Sequence, residues 1–171
     1  MKRLLLAALL AVTAVHAQSL EGLWQGYDGE WRHVSRRLLA LAEATPAEKY
    51  AWRPAPGVRS MSEVYMHLAM SNFYLLRATG VQLPADLTGN LEATVTSKAE
   101  VIAWLKRSLE AVKTARAAIT PGDLGRKVKI VDREAPVDGI YLRILIHANE
   151  HMGHLIGYAR MAGVVPPWSK E

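Results

Sequence analysis

Along most of this chain, apolar residues recur at intervals of three and four, the period of a helix with one buried face. From about Leu20 to Glu43, the residues Leu23, Tyr27, Trp31, Val34, Leu38 and Leu41 share one stripe. They predict a first helix, ended by Thr45-Pro46. The segment Trp52 to Ser60, WRPAPGVRS, has two prolines and no period, so it reads as an ordered irregular loop.

Ser60 and Glu63 then stand in the Ser-x-x-Glu spacing of a capping box, where serine and glutamate answer each other's backbone amides. They open a second helix that runs to about Thr79, before Gly80 and Pro84. Ser97 and Glu100 repeat the spacing and open a third, reaching Ile119 ahead of Thr120-Pro121-Gly122. Between Lys127 and Val131, polar and apolar residues alternate, which predicts a short strand or extended arm. A fourth helix follows from about Val137 to Ala162, closed by Gly163 and a Pro166-Pro167-Trp168 tail.

Four amphipathic helices, some joined by long connections, predict an all-α four-helix bundle with a strand-like segment before the last helix. The pattern does not order the helices in space. Half of the 171 residues are hydrophobic, enough for one domain with one core.

The first 17 residues, MKRLLLAALLAVTAVHA, break the pattern. Lys2 and Arg3 are followed by an apolar run from Leu4 to Val12 and a small-residue exit at Val15-His16-Ala17, the parts of a secretory signal peptide. The run is short for a bilayer span. The expectation is an exported protein, periplasmic or secreted, whose domain occupies residues 18–171 without a stable membrane span after cleavage.

Taking Lys2 and Arg3 from the 21 basic residues leaves a surplus of three over the 16 acidic ones. That surplus is dispersed, as at Arg36-Arg37 and Lys106-Arg107, and nowhere alternates with aromatics. This excludes a nucleic-acid groove as the expected partner surface. The chain has no cysteine, which removes disulfides, a thiolate nucleophile and sulfur-ligated zinc together. Any metal chemistry must use nitrogen and oxygen donors.

Six histidines are present. His16 lies in the leader, and His33 stands alone in the first helix beside Arg32. In IHANEHMGHLIGY, His147, His151 and His154 fall on one stripe of the last helix together with Ile144 and Tyr158. His67 lies on the second helix among Val64, Leu68, Ser71 and Leu75. Buried imidazoles need partners for their nitrogens. One reading supplies a backbone or hydroxyl partner to each; the other gives several histidines one metal ion to share. A pair at i and i+4 with a third histidine from a neighbouring helix makes a facial nitrogen set with coordination positions left open. A further pattern, His147-x-x-Glu150-His151, matches the inverted zinc-peptidase H-x-x-E-H, in which the glutamate is the general base. It needs a downstream acidic ligand, for which only Glu171 remains, and it leaves His67 unexplained.

Two stretches resemble the DinB-like (YfiT-like) four-helix bundle family. WRPAPGVRSMSEVYMHLAMSN, Trp52 to Asn72, is similar to the family's Trp-x-Pro loop, capped helix and first ligand histidine. HANEHMGHLIGYARMAGVVPPWS, His147 to Ser169, is similar to its closing helix, His-x-x-x-His pair and exit tail. The resemblance spans nearly all of residues 18–171. It implies a divalent ion, often nickel or zinc, on His67, His147 and His151, and dimerisation through the bundle. Where the family commonly has Gly-Gln, this chain has Gly153-His154, so His154 is expected as an outer neighbour or an added ligand.

Two functions follow as expectations. One is a metal-dependent hydrolase or transferase acting on a small molecule, with Glu150 and Tyr158 as candidates for proton transfer. The other is a non-catalytic periplasmic module that binds a metal or ligand. An opening above the histidines favours the first, and a site sealed by Met66, Met70 and Met152 favours the second.

Overall fold

The computed structural model describes residues 23–170, so the expected leader and cleavage point lie outside the described residues. Helix α1 spans Leu23–Ala44, α2 Met61–Ala78, α4 Lys98–Ala117 and α5 Val137–Met161. Besides short 3-10 turns, two smaller pieces lie in the connections between α2 and α5. A one-turn helix, α3, spans Leu91–Thr94, and an antiparallel hairpin is formed by β1 (Lys127–Ile130) and β2 (Arg133–Pro136).

The helical stripes face a common interior. Tyr27, Trp31, Val34, Leu38 and Leu41 of α1 are all buried, as are Val64, Leu68 and Leu75 of α2. Helix α2 packs mainly on α4 and α5, and α1 packs mainly on the same two. The order around the bundle is therefore α1, α4, α2, α5, with α1 and α2 on opposite corners. This order makes the two histidine-bearing helices neighbours.

The helix ends explain why the elements stop where they do. The Ser60 hydroxyl accepts from the Glu63 amide at 3.3 Å and the Glu63 carboxylate accepts from the Ser60 amide at 2.6 Å, a complete capping box. At Ser97 only half of that exchange forms, because the Glu100 carboxylate takes the serine hydroxyl instead of its amide. At the end of α5, Gly163 adopts φ +80°, donating to Arg160 while Val164 donates to Ala159. This αL closure satisfies the last carbonyls and suits glycine.

The alternating segment before α5 is one strand of a hairpin rather than a lone arm. Val128 and Ile130 point inward and are buried, while Lys129 pairs with Glu134 on the outer face. Val131 does not continue the strand: it turns the chain at φ +53° and is 72% exposed. Strand β2 runs straight into α5, whose first amides, at Val137 and Asp138, donate to the carbonyls of Arg126 and Leu124. The hairpin thus anchors the start of the helix that carries His147 and His151. The tail beyond Gly163 is also folded back, with Arg37 lying 4.9 Å over the Trp168 ring. Among the described residues, no helix is long and apolar enough to cross a membrane.

Candidate metal centre

Position 67 comes two turns after the Ser60 cap, and positions 147 and 151 lie one turn apart on α5, so helix geometry brings the pair together first. The Nε2 atoms of His147 and His151 lie 3.0 Å apart. From α2, the His67 ring comes within 5.3 Å of His147 and 4.9 Å of His151, measured between centroids. One nitrogen from each of the three histidines lies within 4.8 Å of the others. His147 and His151 are buried, whereas the His67 side chain is 25% exposed, so the cluster is reached from solvent on the α2 side.

Electrostatics keeps the buried pair neutral. Burial, and then the neighbouring imidazoles, push His147 down to about 3 from an ordinary 6.5. Burial, then His67 and His154, push His151 down to about 4. Neutral imidazoles keep lone pairs, which is what coordination requires. The Nδ1 atoms of both rings are buried and have no hydrogen-bond partner among the described residues. These are not core histidines satisfied by backbone or hydroxyl groups. At most one proton fits between the two facing Nε2 atoms, whereas a cation there engages both lone pairs at once. Three imidazole nitrogens and no thiolate suit a divalent ion such as zinc or nickel, so these residues could hold one.

The other sequence candidates fall outside the cluster. His154 is exposed, one ring away from His151 at 5.3 Å between centroids. Glu150 is exposed, with its carboxylate 3.6 Å from Arg143. The H-x-x-E-H reading places that glutamate at the metal, and the helix turns it the other way. Tyr158 is half-buried, its ring edge-on to Trp52 at 5.6 Å. That contact ties the proline-rich loop to α5. His33 lies half-buried on α1. Met66 and Met152 are buried, but with His67 partly exposed they do not seal the site.

Two residues at the site were not singled out from sequence. Glu92 on α3 accepts from His67 Nδ1 at 3.0 Å through one carboxylate oxygen, and from Arg59 Nε through the other. Nothing in the period around Glu92 marks it, because it sits in a connection and not on a helix stripe. Arg59 belongs to the loop before α2, and its charge, with that of Arg143, reaches His147. A separate cavity of about 700 Å³ opens between α1 and α4, lined by Trp31, Arg32, Ser35 and Lys106 among others. It contains none of these histidines, and the convergence of nitrogens outweighs its volume as a mark of chemistry.

The fold agrees with the comparisons to known proteins. Among solved structures, a DinB-like protein from Bacillus cereus is similar at TM-score 0.71 and 20% identity, over 84% of this chain and 95% of that one. A conserved protein from Enterococcus faecalis is similar at TM-score 0.62 and 13% identity, over 82% of this chain and 97% of that one. At such identities these two share the fold. No match was found among curated proteins. The family model of the DinB superfamily matches residues 30–155, which take in most of α1, all of α2 and α4, and all three clustered histidines. With that match over most of its length, the chain belongs to the DinB superfamily.

Proposed function

We propose that this protein holds a divalent ion, nickel or zinc, on His67, His147 and His151, and acts as a metal-dependent hydrolase or transferase on a small molecule. The observation that carries the reading is the convergence of three imidazole nitrogens within 4.8 Å on a partly open face. A bound ion of this kind supplies Lewis acidity, lowering the pKa of water or polarising a substrate oxygen. The chain's own residues set what approaches. The charge of Arg59 and Arg143 reaches His147, but each is paired with a carboxylate, Glu92 and Glu150, so the rim of the site carries both signs of charge. Both proton-transfer candidates lie outside the cluster, Tyr158 packed edge-on to Trp52 and Glu150 engaged with Arg143.

A second reading is a non-catalytic metal-binding module. It is favoured by the carboxylates, because Glu150 faces outward and Glu92 is occupied by His67 and Arg59. Metal analysis of the purified protein, followed by an activity screen with and without the ion found, separates the two. Turnover that depends on the metal supports the enzyme. Stoichiometric metal without turnover on esters or electrophiles supports the module, and failure to retain zinc or nickel overturns both.

The leader residues also support export, with a mature chain beginning near Gln18. Mass spectrometry of protein from the native host checks this, and an intact Met1 species in the cytoplasm overturns it.

A further inference from the structure

We infer that Glu92 is the positioning residue of the metal centre: held by Arg59, it fixes the His67 ring so that Nε2 is the nitrogen offered to the ion. The inference rests on the three-histidine reading above and adds to it the group that completes the site.

His67 is the histidine that needs outside support. His147 and His151 stand one turn apart on one rigid helix, so their mutual placement follows from α5 alone. His67 comes from α2, is partly exposed, and has an imidazole free to turn about its side-chain bonds. Its one hydrogen bond among the described residues is the 3.0 Å contact from Nδ1 to the Glu92 carboxylate. A carboxylate paired with a guanidinium only accepts. The shared proton therefore sits on Nδ1, and Nε2 keeps its lone pair. Arg59 on the second carboxylate oxygen holds Glu92 in place.

The local fold serves the same end. Four residues are too few for a helix to be stable alone. Helix α3 is nonetheless in place, capped by the Asn90 side chain and packed on α2, with Val95 buried just beyond it. Its first turn presents Glu92 to two partners that sit eight residues apart in sequence, Arg59 and His67. Carboxylate support of a ligating histidine fixes its tautomer and orientation, and removing such support typically weakens metal binding about 10- to 100-fold.

The test uses the full chain carrying Glu92→Ala or Glu92→Gln, with zinc affinity measured by chelator competition. The metal-free protein is examined in parallel by nitrogen-15 NMR of the histidine side chains. Glu92→Ala is expected to weaken zinc binding about 10- to 100-fold, with Glu92→Gln in between because its amide oxygen still accepts from Nδ1. The His67 signals should shift from the Nδ1–H form in the parent to a mixture of both tautomers in Glu92→Ala. A purely structural role for Glu92 would not move that tautomer. Unchanged affinity and an unchanged tautomer in a fully helical Glu92→Ala protein overturn the inference. His67→Ala in the same titration distinguishes the two levels. If it loses zinc while the Glu92 variants do not, only the positioning role fails. If it retains zinc in full, the three-histidine site itself fails.

Discussion

His147 and His151 face each other through their Nε2 atoms at 3.0 Å, buried, neutral, and with neither Nδ1 atom partnered among the described residues. Two imidazoles in that arrangement satisfy each other poorly. The spare lone pairs and the approach of His67 define what the cluster is built to engage.

The ligand set is tested by metal content. His67→Ala should remove most zinc or nickel affinity, because two nitrogens hold an ion far less well than three. Glu150→Gln and His154→Ala should keep affinity within a few-fold, since both side chains are exposed outside the cluster. Helicity should be checked first, because a bound metal stabilises the native state by mass action. Loss of metal on Glu150→Gln with retention on His67→Ala would favour the inverted-peptidase reading instead.

Acid should destabilise the metal-free protein in a defined window. In the unfolded chain both histidines titrate near 6.5, whereas in the fold they are held down to about 3 and 4. Between those limits the unfolded state binds more protons, so stability rises with pH. It should be fully present above about 6.5 and decline as pH falls toward 4. Urea midpoints of the metal-free protein from pH 7.5 to 4.5 measure this, with the His147→Asn, His151→Asn double variant as reference. A parent midpoint that stays flat from pH 7 to 5 contradicts the burial of neutral imidazoles.

The cap that starts α2 should contribute measurably to stability. Ser60 is buried and its hydroxyl takes the Glu63 amide. Ser60→Ala should cost about 1 kcal/mol. The readout is a lower denaturant midpoint at unchanged slope. Because His67 lies two turns into the same helix, metal affinity should fall far less than in His67→Ala.

The hairpin turn should be improvable. Val131 is β-branched, exposed, and held at φ +53°, where a side chain branched at Cβ is strained. Asparagine tolerates that conformation and is favoured in tight hairpin turns. Val131→Asn should stabilise the protein by about 1 kcal/mol, seen as a raised thermal midpoint. A lowered midpoint would mean the valine makes a contact worth more than its strain.

Features that depend on short-range repetition were legible in the chain alone. The stripe from Tyr27 to Leu41, the Ser60 and Glu63 cap, the glycine closure at Gly163 and the pairing of His147 with His151 are all set within a few residues. A helix has one period, and its ends have few chemical solutions. The choice of His67 as third partner came from resemblance, since spacing alone cannot say which helices adjoin. Tertiary structure decided the rest. The order α1, α4, α2, α5 sets His67 against the α5 pair, and it follows from how whole apolar faces fit together. The outward turn of Glu150 to Arg143, by contrast, follows from local helix geometry, since positions adjacent in a helix diverge by about a hundred degrees. Glu92 reached the site through a connection without period, where position is set by what the segment packs against. The second strand was missed for a related reason: Arg133 to Pro136 has no alternating pattern and is a strand because β1 lies beside it.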